Sequence, residues 1–196
     1  YTDRSVASST PEQIINAPAV EERESDQTNL FIIPSLGKPT EIGLTTIDLK
    51  EYATEEYPHL SELESTTYAA YAAPLTQKSA VDRMAPDDIV LFYLGDNYYA
   101  GEYRIVAVFK SPELVGRIWP ESKFEDIEIA KYPYLILLQK TRRWGIPQDQ
   151  LNSLLGYTGT AIPSYWGVAE HRIRTLTSTG HSLSDLLNRL DDANID

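Results

Sequence analysis

The sequence predicts an α+β fold: a small twisted β-barrel or curved sheet flanked by helices. Three observations predict it. Residues 88–94, Asp-Ile-Val-Leu-Phe-Tyr-Leu, form a continuous apolar run of strand length, as expected of a strand buried on both faces. Residues 103–109 alternate, with Tyr103, Ile105, Ala107 and Phe109 facing one way and Arg104, Val106 and Val108 the other. Short helices punctuate the rest, marked by caps and by leucine stripes.

Residues 1–28 are rich in Ser, Glu, Pro and Ala, and hold few large apolar groups. They cannot bury enough surface to offset ordering, so a flexible acidic leader is expected there. Asn29-Leu-Phe-Ile-Ile-Pro34 reads as a short strand, stopped by Pro34 and Gly37. Residues 46–56 read as a helix, with Ile47, Leu49 and Tyr52 near one face and Asp48 in the first turn. Residues 60–72 read as another helical turn or two, with Ser61 and Glu64 as a capping box. Residues 78–84 form a short helix that ends before Pro86.

Gly95-Asp96-Asn97 and Gly101 supply turn residues between the two central strands, so these form a hairpin. Ser111 caps a short helix with Pro112 at its first position and Glu113 near the positive end of its dipole. A loop with Ile118-Trp119-Pro120 leads to a third strand at 134–138. Residues 147–155 form a helix striped by Leu151, Leu154 and Leu155 and ended by Gly156. A last strand is expected at 171–176. Residues 181–196 are a C-terminal amphipathic helix or linker, with Leu183, Leu186, Leu187 and Leu190 on one face.

The net charge of −12 is unevenly spread. Residues 1–28 carry −4, residues 47–65 carry −5 and residues 182–196 carry −3, while 29–46 and 66–181 are neutral. The centre can therefore hold a local basic face despite an acidic total. No window is apolar enough for a membrane span, and no secretion signal opens the chain. With zero cysteines, disulfides, thiol catalysis and cysteine-bound zinc are excluded, and a cytoplasmic protein is expected. The chain opens on Tyr1 rather than Met, as expected of a fragment of a longer protein.

Enzyme chemistry finds little support. His59, His171 and His181 lack metal-ligand spacing, and a structural role is the expected one. There is no Gly-x-Ser-x-Gly elbow and no phosphate loop. Pro86-Asp87 with Glu121-Ser122-Lys123 imitates a nuclease motif loosely, but Glu121 follows Pro120 in a loop where that chemistry needs a strand. No catalytic residues, metal or cofactor are expected.

The aromatics and one basic knot are more informative. Tyr71 precedes Ala-Ala-Pro, and Trp119 and Tyr132 each precede Pro. Rigid or small neighbours of this kind hold a ring in place for stacking, although core filling with a polar tip is the commoner role of such residues. Lys140-Thr-Arg-Arg-Trp144 follows the third strand directly. As a turn it is a solvated charge cluster or a phosphate-contact site through Lys140, Arg142 and Arg143.

These residues also carry a family resemblance. Asp87-Asp-Ile-Val-Leu-Phe-Tyr93 resembles the "GD-x-φ-φ-φ-Y" strand, φ being apolar, of EVE and YTH-like domains of the PUA-type superfamily. Tyr103-Arg-Ile-Val-Ala-Val-Phe-Lys-Ser-Pro112 resembles their "G-x-G-x-V" strand, with Arg104 and Val106 where glycines are usual. Residues 114–134 resemble their "W-P…Y-P" segment, and Asn29-Leu-Phe-Ile-Ile-Pro34 their opening strand. The likeness spans most of residues 29–176. It is greatest to the amino-terminal DNA-reading domains of archaeal McrB-type modification-dependent restriction proteins.

The resemblance implies a PUA/EVE/YTH-like reader domain over 29–180. Its implied function is non-catalytic reading of modified double-stranded DNA carrying a methylated base, as the targeting module of a restriction system. The base would be flipped into an aromatic cage, to which Tyr71 and Trp119 or Tyr132 correspond. Other domains or subunits of a restriction complex are the implied protein partners. An RNA-binding PUA-like module and a protein–protein interaction domain are the alternatives.

Overall fold

The computed structural model describes residues 28–34, 44–52, 57, 60, 63–93, 98–120, 128–158 and 167–192, with side chains at all of these except 98–101, 129, 142–145, 170, 191 and 192. The expected leader at 1–28 lies almost wholly outside the described residues, as do the 94–97 turn and Ser61 of the expected capping box.

Among the described residues six strands form one mixed sheet: β1 (Leu30–Pro34), β2 (Thr45–Asp48), β3 (Thr67–Ala73), β4 (Ile89–Tyr93), β5 (Tyr98–Lys110) and β6 (Tyr134–Pro147). Their order is β1-β4-β5-β6-β3-β2. β1 and β4 run parallel and every other pair is antiparallel. A parallel pair needs a long crossover, and the chain between β1 and β4 supplies it through β2, β3 and α1 (Lys78–Val81). Edge strands β1 and β2 are not paired with each other, so the sheet is open and the expected barrel does not close among the described residues.

Alternation along the strands divides the interior. On the front face, Phe31, Ile33, Tyr71, Val90, Phe92, Tyr103, Ile105, Val108, Ile136 and Leu138 pack with Ala80, Val81 and Met84 at and beside α1. The back face carries two separate apolar clusters. One gathers Ala70, Ala72, Phe109, Leu135 and Leu137 under α2 (Pro112–Ile118) and Trp119. The other gathers Leu30, Ile32, Ile89 and Leu91 under α3 (Gln148–Leu154), α4 (Glu170–Thr177) and α5 (Leu183–Asp192).

Several elements differ from expectation. Residues 45–48 are a strand followed by a 3-10 turn at Leu49–Glu51, not a helix. The β-branched Thr45-Thr46-Ile47 run suits an edge strand, and the Asp48 side chain caps the turn by accepting from the Lys50 amide at 3.0 Å. Residues 67–73 are strand, not helix. Alanine favours helix, but here Ala70 and Ala72 leave room for Trp119 and Leu114 in one cluster, and β6 supplies the pairing. Residues 170–177 are a helix, not a strand. Ile173 is buried, while the hydroxyls of Thr175 and Thr177 donate to the carbonyls of His171 and Ile173 four residues back, at 2.8 and 3.0 Å.

The expected alternation of β5 holds only to Ile105. Ile105 pairs with Leu138 and Ala107 with Leu137, so Val106 is an extra residue and every later side chain changes face. Val108 thus joins Tyr103 and Ile105 in front, and Phe109 lies behind.

The caps behave as read. Ser111 Oγ accepts from the Leu114 amide at 3.1 Å, with Pro112 at the first turn. Gly156 ends α3 with φ +69°. Arg172 closes that end: its Nη1 donates to the carbonyls of Leu155 and Gly156, both at 2.7 Å, while its guanidinium lies 4.1 Å from the Tyr157 ring centre.

Candidate nucleic-acid interface

The two back-face clusters are separated by a polar strip. One line of strand pairing runs Leu30, Ile89, Arg104, Gln139; the next runs Ile32, Leu91, Glu102, Arg142. The first begins apolar on β1 and β4 and turns charged and then polar on β5 and β6; the second is apolar to Leu91 and charged at Glu102. The pairing is irregular here, with register shifts on both sides of Glu102. Bulges of this kind re-aim side chains and concentrate beside functional sites.

The strip opens into a cleft of about 280 Å³ lined by Glu102, Arg104 and Thr141 from the sheet and by Ser184 and Asn188 from α5. Residues four apart share a helix face. Leu183 and Leu187 accordingly bury against the sheet, while Ser184 and Asn188 turn to the cleft. Ser182 caps α5: its Oγ accepts from the Asp185 amide at 3.1 Å, and the Asp185 carboxylate accepts back from the Ser182 amide at 3.2 Å and hydroxyl at 2.6 Å. The Ser182 hydroxyl is the main cause that holds the Asp185 carboxyl below its ordinary pKa, followed by the Ser182 amide.

Arg104 ties the cleft together. Its Nη2 lies 3.4 Å from Glu102 Oε1 and donates to Ser184 Oγ at 2.6 Å. Its Nη1 donates to the Asp87 carbonyl at 3.1 Å. Asp87 has φ 70°, a left-handed conformation that Asp tolerates better than most residues. The Asp87 amide bonds the Ile105 carbonyl at 2.9 Å, so β5 pins this turn from two sides. Thr141 Oγ1 donates to the Glu102 carbonyl at 3.2 Å.

The residues singled out in the sequence fall elsewhere. Tyr71 is 8% exposed in the front cluster, tilted against Phe92 at 5.6 Å between ring centres. Trp119 is 3% exposed in a back cluster, and Tyr132 packs against that same cluster. The sheet lies between Tyr71 and the other two. The expected cage of Tyr71, Trp119 and Tyr132 is therefore not assembled: the small and rigid neighbours that fix these rings fix them into the core.

The basic knot is not a turn. Lys140, Arg142 and Arg143 lie within β6, which runs on past its buried half to Pro147. Lys140 is exposed and pairs across to Tyr103; Arg142 pairs across to Glu102. The side chains of Arg142 and Arg143 lie outside the described residues.

Sequence reasoning missed the cleft. One signal was present: Glu102 and Arg104 put two charges on one face of an otherwise apolar strand, and Arg104 replaces a glycine of the resembled pattern. Among the described residues no cluster of His, Asp and Glu suits a metal ion, and no helix is long and apolar enough to cross a membrane.

No family model matches the chain, and no curated protein matches it. Among solved structures, the chain is similar to the YTH domain of the Zygosaccharomyces rouxii MRB1 protein, solved in complex with N6-methyladenosine RNA. The likeness covers 82% of this chain and 93% of that one, at 8% identity and a TM-score of 0.40. A likeness of that size assigns neither family nor ligand.

Proposed function

We propose that the chain is a non-catalytic reader of modified nucleic acid, with DNA carrying a methylated base as its target. The observation that carries this reading is the outer half of β6. Lys140, Thr141, Arg142 and Arg143 follow one another along an extended strand that leaves the apolar core beside a polar cleft. Lys140 is exposed and has no ion-pair partner among the described residues. A cationic strand of this kind tracks a phosphate backbone, and an adjoining polar recess can take a base out of the stack. The segments that resemble EVE and YTH-like strands are β1, β4 and β5, the three neighbours of that strip. In a restriction system such a module would supply targeting while another domain or subunit cuts.

The test is a binding panel with one duplex sequence in unmodified, methylated-adenine and methylated-cytosine forms, beside the matching RNA. The methylated duplex is expected to bind most tightly. Changing Lys140, Arg142 and Arg143 together to Ala should weaken binding to every strand and flatten the salt dependence by about 2–3 charges. RNA preference would move the assignment to an RNA-binding module. No binding to any of them at low salt would leave a protein–protein interaction domain.

A further inference from the structure

Among the described residues two carboxylates are buried, Asp88 just before β4 and Glu102 on β5, and they are satisfied very differently. Asp88 is structural. Its oxygens accept from the Asn29 amide at 2.9 Å, the Asn29 side-chain amide at 3.2 and 3.3 Å and the Ala85 amide at 2.9 Å, which locks β1 to the turn before β4. Glu102 is equally hidden, at 3% exposure, yet among the described residues its carboxylate meets only Arg104, at 3.4 Å through one oxygen. A buried carboxylate normally collects several donors, because desolvating the charge is costly. Among the described residues Glu102 shows only the Arg104 contact, and it lines an open cleft.

We infer that this cleft binds the amino-bearing edge of a single nucleobase, with Glu102 accepting from the exocyclic amine and Arg104 donating to the adjacent ring nitrogen. The inference rests on the nucleic-acid reading above and names the place and chemistry of base recognition within it. A carboxylate is acceptor-only and a guanidinium donor-only, so the pair matches a donor beside an acceptor, as cytosine and adenine present. Arg104 cannot swing away, since Asp87 and Ser184 hold its two terminal nitrogens. It has N–H groups to spare beyond those contacts. Thr141 and Ser184 line the cleft too, and each hydroxyl keeps a function beyond its contact with the Glu102 carbonyl or Arg104, so both can bond the remaining edges. At about 280 Å³ the cleft falls just below the roughly 300 Å³ where drug-sized pockets begin, a fit for one flat ring system and little more.

Discrimination comes as much from repulsion as attraction. A base with a carbonyl in place of the amine would set its oxygen lone pairs against the buried Glu102 carboxylate and supply it no donor. Thymine and 5-methylcytosine differ by oxo for amino at C4 and, with it, by N–H for a lone pair at N3, so thymine sets an acceptor against Glu102 and a donor against Arg104.

The experiment measures binding of the whole chain to an oligothymidine strand and to the same strand with one central 5-methylcytosine. The 5-methylcytosine strand is expected to bind about tenfold more tightly. Glu102→Gln, which keeps shape and can donate as well as accept, should reduce that preference to about twofold or less and leave the salt dependence unchanged. Asn188→Phe, which fills the cleft from its rim and leaves Glu102 itself unchanged, should do the same. Equal affinity of the wild-type chain for both strands, with salt-dependent binding intact, overturns the cleft assignment and leaves the reader standing. So does a tenfold preference that survives both substitutions. Failure to bind either strand at low salt overturns the cleft assignment, and overturns the reader as well if the methylated duplex is also unbound.

Discussion

The β5–β6 ribbon is two structures in one pair of strands. In its inner half, 105–110 against 134–138, side chains on both faces enter apolar clusters, and residues 134–138 are all buried. In its outer half, which begins at 104 against 139, Glu102, Arg104, Gln139 and Thr141 replace the apolar residues on the back face, and register shifts interrupt the ladder on both sides of Glu102. The backbone partner is the same throughout; only what covers the ribbon changes. The inner half lies between α1 and α2, the outer half under α5 with a cleft left open. A continuous strand can thus spend one end on stability and present the other to a ligand. The break falls at Val106, where the extra residue reverses the faces.

The largest expected effect tests the inner half. Trp119→Ala removes a buried ring from the cluster over Ala70, Ala72 and Leu137, and should cost about 3–5 kcal/mol in urea unfolding. Folding at near wild-type stability with loss of nucleic-acid binding would instead show that the ring serves a site. Tyr71→Ala should also destabilise, through the front cluster, and the two losses should add, because the sheet separates the rings.

Next comes the outer half. Arg104→Ala leaves Glu102 buried without its partner and frees the Asp87 carbonyl and the Ser184 hydroxyl. Removing one member of a buried pair costs roughly 3–5 kcal/mol. The Arg104 side chain is 29% exposed, so about 2–3 kcal/mol is expected in the same unfolding experiment. Glu102→Gln alone should cost less, and combined with Arg104→Ala it should recover part of the loss. A strictly additive double variant would show that the two groups do not interact and that the strip is not a coupled unit.

How far the sequence could be read follows the same division. The inner strands were legible because burial writes itself as apolar runs and alternation, as at β1, β4 and the start of β6. The caps at Ser111 and the leucine stripe of α5 were legible because their signals are local. β3 misled because alanine's helix preference is local while its pairing with β6 comes from 61 to 69 residues away, from Ala73 with Tyr134 to Ala69 with Leu138. α4 misled because Ile173, Thr175 and Thr177 fall two apart, as they would in a strand. Lys140-Thr-Arg-Arg was read as a turn because sequence does not separate an exposed strand from a solvated loop. The cleft could not be read, since it joins residues 102–104, 141 and 184–188 across long stretches of chain. The cage failed for a related reason: the neighbours that immobilise a ring for stacking are the same ones that immobilise it in a core.

The smallest effect sharpens the comparison most locally. Ser182→Ala removes the cap of the helix that walls the cleft, and should cost about 1 kcal/mol at neutral pH. Its pH dependence has a definite sign. Hydrogen bonding to Ser182 lowers the Asp185 pKa in the folded chain, so this carboxylate stabilises α5 above its ordinary pKa and stops doing so as pH falls through the lowered value. The Ser182 Oγ bond to the Asp185 amide does not need that charge and persists in acid. The gap between wild type and Ser182→Ala should therefore narrow in acid without closing. Amide exchange locates the loss: α5 should lose protection in Ser182→Ala, while residues 134–138 keep theirs, because the cap touches nothing in the inner half. If both halves lose protection together, α5 is part of one cooperative core, and the division of the ribbon into a stable end and a working end is wrong.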